Sequence, residues 1–217
     1  MVNKVKAEQV EHVLVFEEKF MYGFSDTLKE NKISSISQDL EYLDHIVGSA
    51  HFMPRNWVET NTTYKQIIPY VCFFNIEEKK YVSYRRFKGE EKRLDGKISI
   101  GIGGHINPID MSYGSKDIIK TCANREVAEE FGMERLSEKL IPKRKVGVIY
   151  NDTSTVGEVH FGVVFLNLIG NEEMDYINRC IPEDCVTEVK LMNEKELLID
   201  DSLEGWSRLI VKFTNPT

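Results

Sequence analysis

The amino-acid sequence predicts one α/β or α+β sandwich built around a mixed β-sheet. Predicted strands and helices are interspersed without strict alternation, which is typical of this class. The chain has 217 residues, 41% of them apolar, and is therefore long enough to bury a sizeable core. No linker rich in Gly, Pro or Ser divides it. We expect residues 63–217 to form the core domain and residues 1–62 to pack on it as an N-terminal extension.

The N-terminal third contains a strand, a helix and an irregular stretch. Residues 10–17 are rich in Val and aromatic side chains and predict a strand. Residues 36–47 carry apolar side chains at helical spacing and predict a helix. Gly48 and Pro54 then interrupt the pattern.

The middle of the chain predicts three strands. Residues 65–76 form a strong apolar strand, although Pro69 limits the early part of its ladder. A turn leads to a returning strand over residues 81–87. After the charged loop 89–97, residues 98–104 predict a further strand that ends in glycines.

A helix over residues 117–132 follows, and Gly132 suits its end because helices commonly stop on a glycine in the left-handed region. The remaining predicted elements are strands over 144–152 and 157–170, a loop over 193–200 and a helix over 202–213.

Charge and composition argue against several function classes. The net charge of −7 disfavours a broad nucleic-acid or anionic-membrane footprint. No apolar run reaches the length of a membrane span, and the N-terminal stretch lacks a secretory signal, which predicts a cytoplasmic protein. The four cysteines match no zinc signature.

The stretch "REVAEEFGM" indicates a cation site. Glu126, Glu129 and Glu130 fall within an arc of roughly 100° on the predicted helix. Their mutual repulsion and the helix dipole both oppose this cluster at the C-terminal end of the helix. A bound cation would offset both effects, and oxygen ligands without His or Cys suit Mg²⁺ or Mn²⁺. The alternative is a solvated acidic patch with Arg125 as partial partner.

Together with the glycines upstream, this stretch resembles the Nudix box. "GGHINPID … REVAEEFGM" is similar to the pattern G-x5-E-x7-R-E-U-x-E-E-x-G-U, in which U is apolar, and the second half matches at every fixed position. The first half departs from the pattern. Asp110 has the right spacing from Gly104 but lies seven residues too far from Arg125, whereas Asp117 has the right spacing to Arg125 only. A seven-residue insertion accounts for this, and in both alignments an Asp replaces the first Glu.

The resemblance implies a role for each residue of the box. Glu126, Glu129 and Glu130 would be catalytic metal ligands for Mg²⁺ or Mn²⁺. The carbonyl of Gly104 would assist them, and Arg125 would orient a glutamate through a charge-assisted hydrogen bond.

Candidates outside the box are less constrained by the pattern. Glu158 begins a strand and is either a general base or an ordinary strand-end glutamate. His105 follows the glycine pair and is a candidate contact for phosphate or for metal-bound water. Arg85, Arg86 and Lys88 form a basic cluster that suits substrate phosphates. Adjacent strand residues face opposite ways, so Arg85 and Arg86 cannot both point inward.

The resemblance implies a Nudix-type α/β/α sandwich and a metal-dependent hydrolase acting on a diphosphate linkage in a nucleoside diphosphate joined to another group. One alternative is a non-catalytic ligand-binding or regulatory module, against which the intact glutamate set argues. Another is a diphosphate isomerase, which would need a catalytic cysteine and a histidine-rich metal site. Cys72 lies inside a predicted strand and the histidines are scattered. Exchange of N-terminal segments would give a homodimer, and the oligomeric state is left open.

Overall fold

The structure is a computed structural model that describes residues 10–23, 32–35, 40–86, 94–112, 116–133, 137–152, 154–180 and 186–214. Its strands are β1 (His12–Glu17), β2 (Lys32–Ser35), β3 (His51–Pro54), β4 (Tyr64–Asn75), β5 (Lys80–Arg86), β6 (Ile98–Ser99), β7 (Gly101–Gly103), β8 (Lys145–Tyr150), β9 (His160–Ile169) and β10 (Val186–Met192). Its α-helices are α1 (Leu40–Ser49), α2 (Arg55–Val58), α3 (Ile118–Glu130), α4 (Asn171–Arg179), α5 (Glu194–Ile199) and α6 (Gly205–Thr214).

The strands form one mixed sheet. Its main order is β10-β5-β4-β9-β8-β2, while β1 and β7 pair with β4, β3 pairs with β1, and β6 pairs with β5. The central strands β4 and β9 run parallel, in register from Gln66 opposite His160 to Asn75 opposite Ile169. Pro69 lies between the parts of β4 that pair with β1 and with β7, where a missing backbone N–H costs the ladder little.

The sheet is covered on both faces, which explains why β4 and β9 are almost continuously apolar. Side chains of β4 alternate between two cores. Val71 and Phe73 pack on one face with α1, α3 and α4, whereas Cys72 and Phe74 pack on the other face with α5 and α6. The predicted α/β/α sandwich with a mixed sheet is therefore confirmed.

Helix α3 begins and ends as its sequence predicts. The Asp117 side chain accepts a hydrogen bond from the backbone N–H of Lys120 at 3.0 Å and caps the N-terminus. At the other end Gly132 adopts a φ of +61°, and its N–H donates to the Glu129 carbonyl at 3.0 Å.

Several predicted elements were wrong or incomplete. Residues 193–200 are not a loop, because Asn193 and Glu196 exchange side-chain and backbone hydrogen bonds and start α5. The strand over 98–104 is divided into β6 and β7. The helix over 36–47 begins at Leu40 among the described residues and extends to Ser49. Elements that the sequence analysis missed are β2, β3, α2, α4 and β10.

Strands from the first 62 residues belong to the same sheet as the rest. β1 pairs with β4, and β2 pairs with β8. The boundary between an extension (1–62) and a core domain (63–217) stays a prediction, with strands on both sides of it joined in one sheet. Among the helices of the described residues, none is long and apolar enough to cross a membrane.

Candidate active site

The end of β7 and the last two turns of α3 meet at Gly104. A Cβ built on Gly104 would lie 2.0 Å from the carboxyl carbon of Glu126, a contact that no side chain could make. Only a glycine lets the backbone approach this carboxylate so closely. The Gly104 carbonyl lies 4.0 Å from the Cys122 sulfur, within reach of the same helix.

Arg125 joins the glutamates to the loop after β7. Its Nη1 donates to Glu126 Oε1 at 2.7 Å and to Glu129 Oε2 at 2.9 Å. Its Nη2 donates to the His105 carbonyl at 3.0 Å. Its Nε and Nη2 donate to the two carboxylate oxygens of Asp110 at 2.9 and 3.0 Å. Arg125 therefore connects Glu126 and Glu129 to Asp110 and to the loop after β7.

The structure distinguishes between the two aspartates that the sequence left open. Asp110 is fully buried and forms the bidentate pair with Arg125. Asp117 instead caps α3 and lies 2.6 Å from Lys145 Nζ. Asp110 is thus the aspartate that pairs with the arginine of the pattern, whereas Asp117 is the cap of the helix.

The three glutamates share one electrostatic environment. Burial raises the pKa of Glu126 to about 7; Arg125 opposes the rise, while Glu129 and Glu130 add to it. The side chain of Glu126 is 15% exposed and that of Glu129 is 49% exposed. A largely buried carboxylate whose two carboxylate neighbours raise its proton affinity fits a divalent cation of the Mg²⁺ or Mn²⁺ type.

Arg85 and Arg86 point in opposite directions, as the strand alternation predicts. Arg85 is turned toward β10, where its Nε donates to Glu188 Oε2 at 3.1 Å. Arg86 is largely buried; its Nη2 donates to the Tyr84 hydroxyl at 3.4 Å, and its Nε has no hydrogen-bond partner. The charge of Arg86 interacts with Glu130, which links it to the glutamate cluster.

The other predicted site residues lie outside this network or outside the described residues. Glu158 is exposed in the turn before β9, and its backbone carbonyl accepts a hydrogen bond from the buried Lys65 Nζ. Lys88 falls outside the described residues. The ring of His105 faces Glu59 and His160, and its contact with phosphate or metal-bound water stays a prediction.

This Glu59–His105–His160 cluster was missed by the sequence analysis, which treated the histidines as scattered. One ligand atom from each residue lies within 4.8 Å of the others. The parallel pairing of β4 and β9 and the course of the loop after β7 bring the three together. No local spacing could have revealed it, because the residues come from three distant segments.

No protein-family model matches the sequence. Protein YmaB of Bacillus subtilis (strain 168) is 30% identical over 182 residues, which cover 82% of this chain and 84% of YmaB. The crystal structure of Tm1382, a protein assigned to the Nudix hydrolases, matches with a TM-score of 0.66 at 23% identity, over 95% of this chain and 99% of that one. A MutT protein from Methanosarcina mazei Go1 is more distant, with a TM-score of 0.49 at 18% identity over 67% of this chain and 89% of that one. The match to Tm1382 confirms the resemblance to Nudix hydrolases at the level of the fold.

Proposed function

The chain belongs to the same family as protein YmaB and has the Nudix fold, and from this premise we propose that it is a metal-dependent hydrolase that cleaves a diphosphate linkage. The observation that carries the proposal is the arrangement around Arg125. One guanidinium contacts Glu126 and Glu129, while Asp110 braces it from the loop after β7. A solvated acidic patch would not need a fully buried aspartate to hold its arginine in place.

Glu126, Glu129 and Glu130 would hold Mg²⁺ or Mn²⁺, with the carbonyl of Gly104 as a further ligand. The ion would neutralise phosphate charge and lower the pKa of a bound water. The ion pairs of Arg125 hold the carboxylates of Glu126 and Glu129 in place, so these side chains lose little conformational freedom when the ion binds.

The proposed substrate class is supported by the electrostatic interaction between Arg86 and Glu130. Arg86 is largely buried and interacts electrostatically with Glu130, which suits a phosphate bound beside the metal. Arg85 and Lys88 stay weaker candidates, since Arg85 is engaged by Glu188 and Lys88 is not described. We propose a small substrate of the type nucleoside diphosphate linked to another group.

Glu158 is retained as a proposed general base only because of its position. Its carboxylate is exposed in the turn before β9 and contributes to the electrostatic environment of Lys65. Turnover by Glu158→Gln tests this role directly. A loss of less than about tenfold would leave Glu158 an ordinary turn residue.

The isomerase alternative requires a catalytic cysteine, and the environment of Cys72 does not suit that role. Cys72 is fully buried inside β4, and burial raises its thiol pKa well above the ordinary value. Its sulfur lies on the face of the sheet that packs against α5 and α6, whereas α3 with its glutamates packs on the opposite face.

The activity can be tested on a panel of nucleotide-derived diphosphates with and without Mg²⁺ or Mn²⁺. We expect metal-dependent release of two phosphorylated products, and loss of that release in Glu129→Gln. Saturable binding of a diphosphate without turnover by the wild type would instead favour the non-catalytic module. A cytoplasmic location and a homodimer stay predictions from the sequence.

A further inference from the structure

A second cluster of metal-binding side chains lies beside the glutamate site. Glu59 follows α2, His105 follows Gly104, and His160 begins β9. A carboxylate oxygen and one nitrogen from each ring lie within 4.8 Å of one another. The centroids of the two rings are 5.6 Å apart and their planes are tilted by 56°, so the rings are not stacked flat against each other.

Two polar atoms at this cluster are buried without a hydrogen-bond partner. One is Nε2 of His105 and the other is Oε1 of Gln66. Gln66 is fully buried, lies opposite His160 in the β4–β9 register, and its Nε2 is 3.5 Å from Glu59 Oε2. Buried polar groups are normally satisfied, so two unsatisfied ones at the same place indicate that a ligand supplies the missing contacts.

Both histidines are suited to donate a lone pair. In His105, Nε2 is buried and has no hydrogen-bond partner among the described residues. In His160, Nδ1 lies 2.6 Å from the Val156 carbonyl. Since a carbonyl only accepts, Nδ1 carries the proton and the lone pair is on Nε2. The lone pair of an imidazole nitrogen suits a metal ion better than an anion.

We propose that Glu59, His105 and His160 form a second metal site, separate from the glutamates of α3, that binds a transition-metal ion of the Zn²⁺ class. Two imidazoles and one carboxylate match the preferences of such ions, whereas the all-oxygen set on α3 matches Mg²⁺ or Mn²⁺. Gln66 is positioned to contact the ion or a water bound to it.

The positive charge of Arg55 is the main electrostatic argument against a cation at this place, and acidic partners offset it. Arg55 lies 2.8 Å from Glu11 and 3.7 Å from Glu59. Two carboxylates therefore lie near the guanidinium and offset its charge.

A metal at this cluster would fasten three segments that the chain keeps apart. It would join the end of α2 to β9 and to the loop that carries Gly104. Because the His105 carbonyl accepts a hydrogen bond from Arg125 at 3.0 Å, that loop is already connected to the glutamates. The second site would thus hold the loop against the first without sharing a side-chain ligand with it.

The test uses the full chain, stripped of metal with a chelator and then titrated with Co²⁺ in excess Mg²⁺. Co²⁺ takes the same nitrogen and oxygen ligands as Zn²⁺, and it absorbs visible light more strongly in a four- or five-coordinate protein site than as the six-coordinate aqua ion. The variants are His105→Ala and Glu59→Gln, both at partly exposed positions, and the matched control is His51→Ala, whose ring is exposed. Glu129→Gln reports whether the glutamates take part.

We expect the wild type, His51→Ala and Glu129→Gln to show the same visible spectrum and the same affinity. His105→Ala and Glu59→Gln should each weaken binding by at least about tenfold. If the Co²⁺ spectrum of the wild type stays that of the aqua ion, the proposal is overturned, and a buried water is left as the ligand of His105 and Gln66. An affinity that neither variant changes would overturn it as well. Neither outcome depends on hydrolase activity, so this test and that of the proposed function can fail separately.

Discussion

The guanidinium of Arg125 holds the carboxylate of Asp110 through two hydrogen bonds of 2.9 and 3.0 Å, and Asp110 has no exposed surface. This bidentate geometry is the strong form of an ion pair. It fixes the loop after β7 to the helix that carries the glutamates. The position of Glu126 and Glu129 therefore depends on an aspartate that contacts neither of them directly.

Asp110→Asn should destabilise the protein by about 3 kcal/mol, because it removes the fully buried charged partner of Arg125 and leaves the cation only its more exposed partners, Glu126 and Glu129. Asp117→Asn is the matched control. Asparagine also caps helices well, and the ion pair with Lys145 is partly exposed, so the control should cost less than about 1 kcal/mol. Urea unfolding of both variants gives the comparison. An equal or larger loss in Asp117→Asn would show that Asp110 is not the brace.

Glu129→Gln should lower turnover at least about a hundredfold while the free energy of unfolding of the metal-free protein stays the same or rises. Turnover should fall because the carboxylate of Glu129 is a metal ligand in the proposed function. Stability should not fall because removal of its charge relieves the repulsion among the three glutamates. Glu172→Gln is the control, since Glu172 is 90% exposed on α4. A sharp fall in metal-free stability would instead make Glu129 a structural residue.

The sequence predicted the centre of this molecule better than its edges. β4, β9 and α3 carry strong signals, because a strand buried on both faces is continuously apolar and a capped helix ends on a suitable glycine. β10 was missed because "VTEVKLM" has neither a regular alternation of apolar and polar residues nor a continuous apolar run, and its pairing with β5 includes a register shift between Thr187 and Lys190. Such edge strands are defined by tertiary contacts more than by composition.

In the candidate site, too, the features that are local in sequence could be predicted and those that depend on tertiary contacts could not. The box on α3 is local in sequence, so its residue types and their spacing can be identified from the amino-acid sequence alone. The choice between Asp110 and Asp117 needed the conformation of an inserted loop. The cluster of Glu59, His105 and His160 needed the register of two parallel strands, which no spacing along the chain encodes.

The raised pKa of Glu126 predicts how the metal-free protein responds to pH. The pKa of Glu126 is about 7 in the native protein, against an ordinary value of 4.5 in the unfolded chain. The native protein therefore binds this proton more tightly. Its contribution to stability is therefore fully present below pH 4.5 and is lost as the pH rises through about 7. The upper bound on this loss is about 3 kcal/mol.

Urea unfolding in the presence of a chelator across this pH range measures the effect. The difference between wild type and Glu126→Gln isolates it, because the other titrating groups are common to both. We expect Glu126→Gln to gain stability relative to wild type as the pH rises. A difference that does not change with pH would contradict the burial of this carboxylate.

Gly104→Ala should displace the Glu126 carboxylate, because the new methyl group would lie 2.0 Å from its carboxyl carbon. We expect Mn²⁺ affinity to fall by at least about tenfold in calorimetric titrations. Gly48→Ala is the matched control: a Cβ there meets no atom within 4 Å, and alanine favours the helix by up to about 1 kcal/mol. Unaltered Mn²⁺ binding in Gly104→Ala would mean that Glu126 can move aside without loss of the site.

Arg86→Lys should raise the Michaelis constant of whichever diphosphate proves active by about tenfold or more, while Mn²⁺ affinity stays the same. Lysine keeps a positive charge facing the buried Glu204, so the variant should fold, but it loses the planar fork that binds phosphate oxygens in pairs. Arg85→Lys is the control on the same strand, since Arg85 is turned to Glu188 and to the Gly96 carbonyl at 2.7 Å. The two residues are neighbours in sequence and face opposite sides of β5. A difference between the Michaelis constants of the two variants therefore depends on which side the side chain faces, since both substitutions keep the charge. If Arg85→Lys raised the Michaelis constant more than Arg86→Lys, the substrate would lie on the other side of β5 and the assignment of Arg86 to phosphate would be wrong.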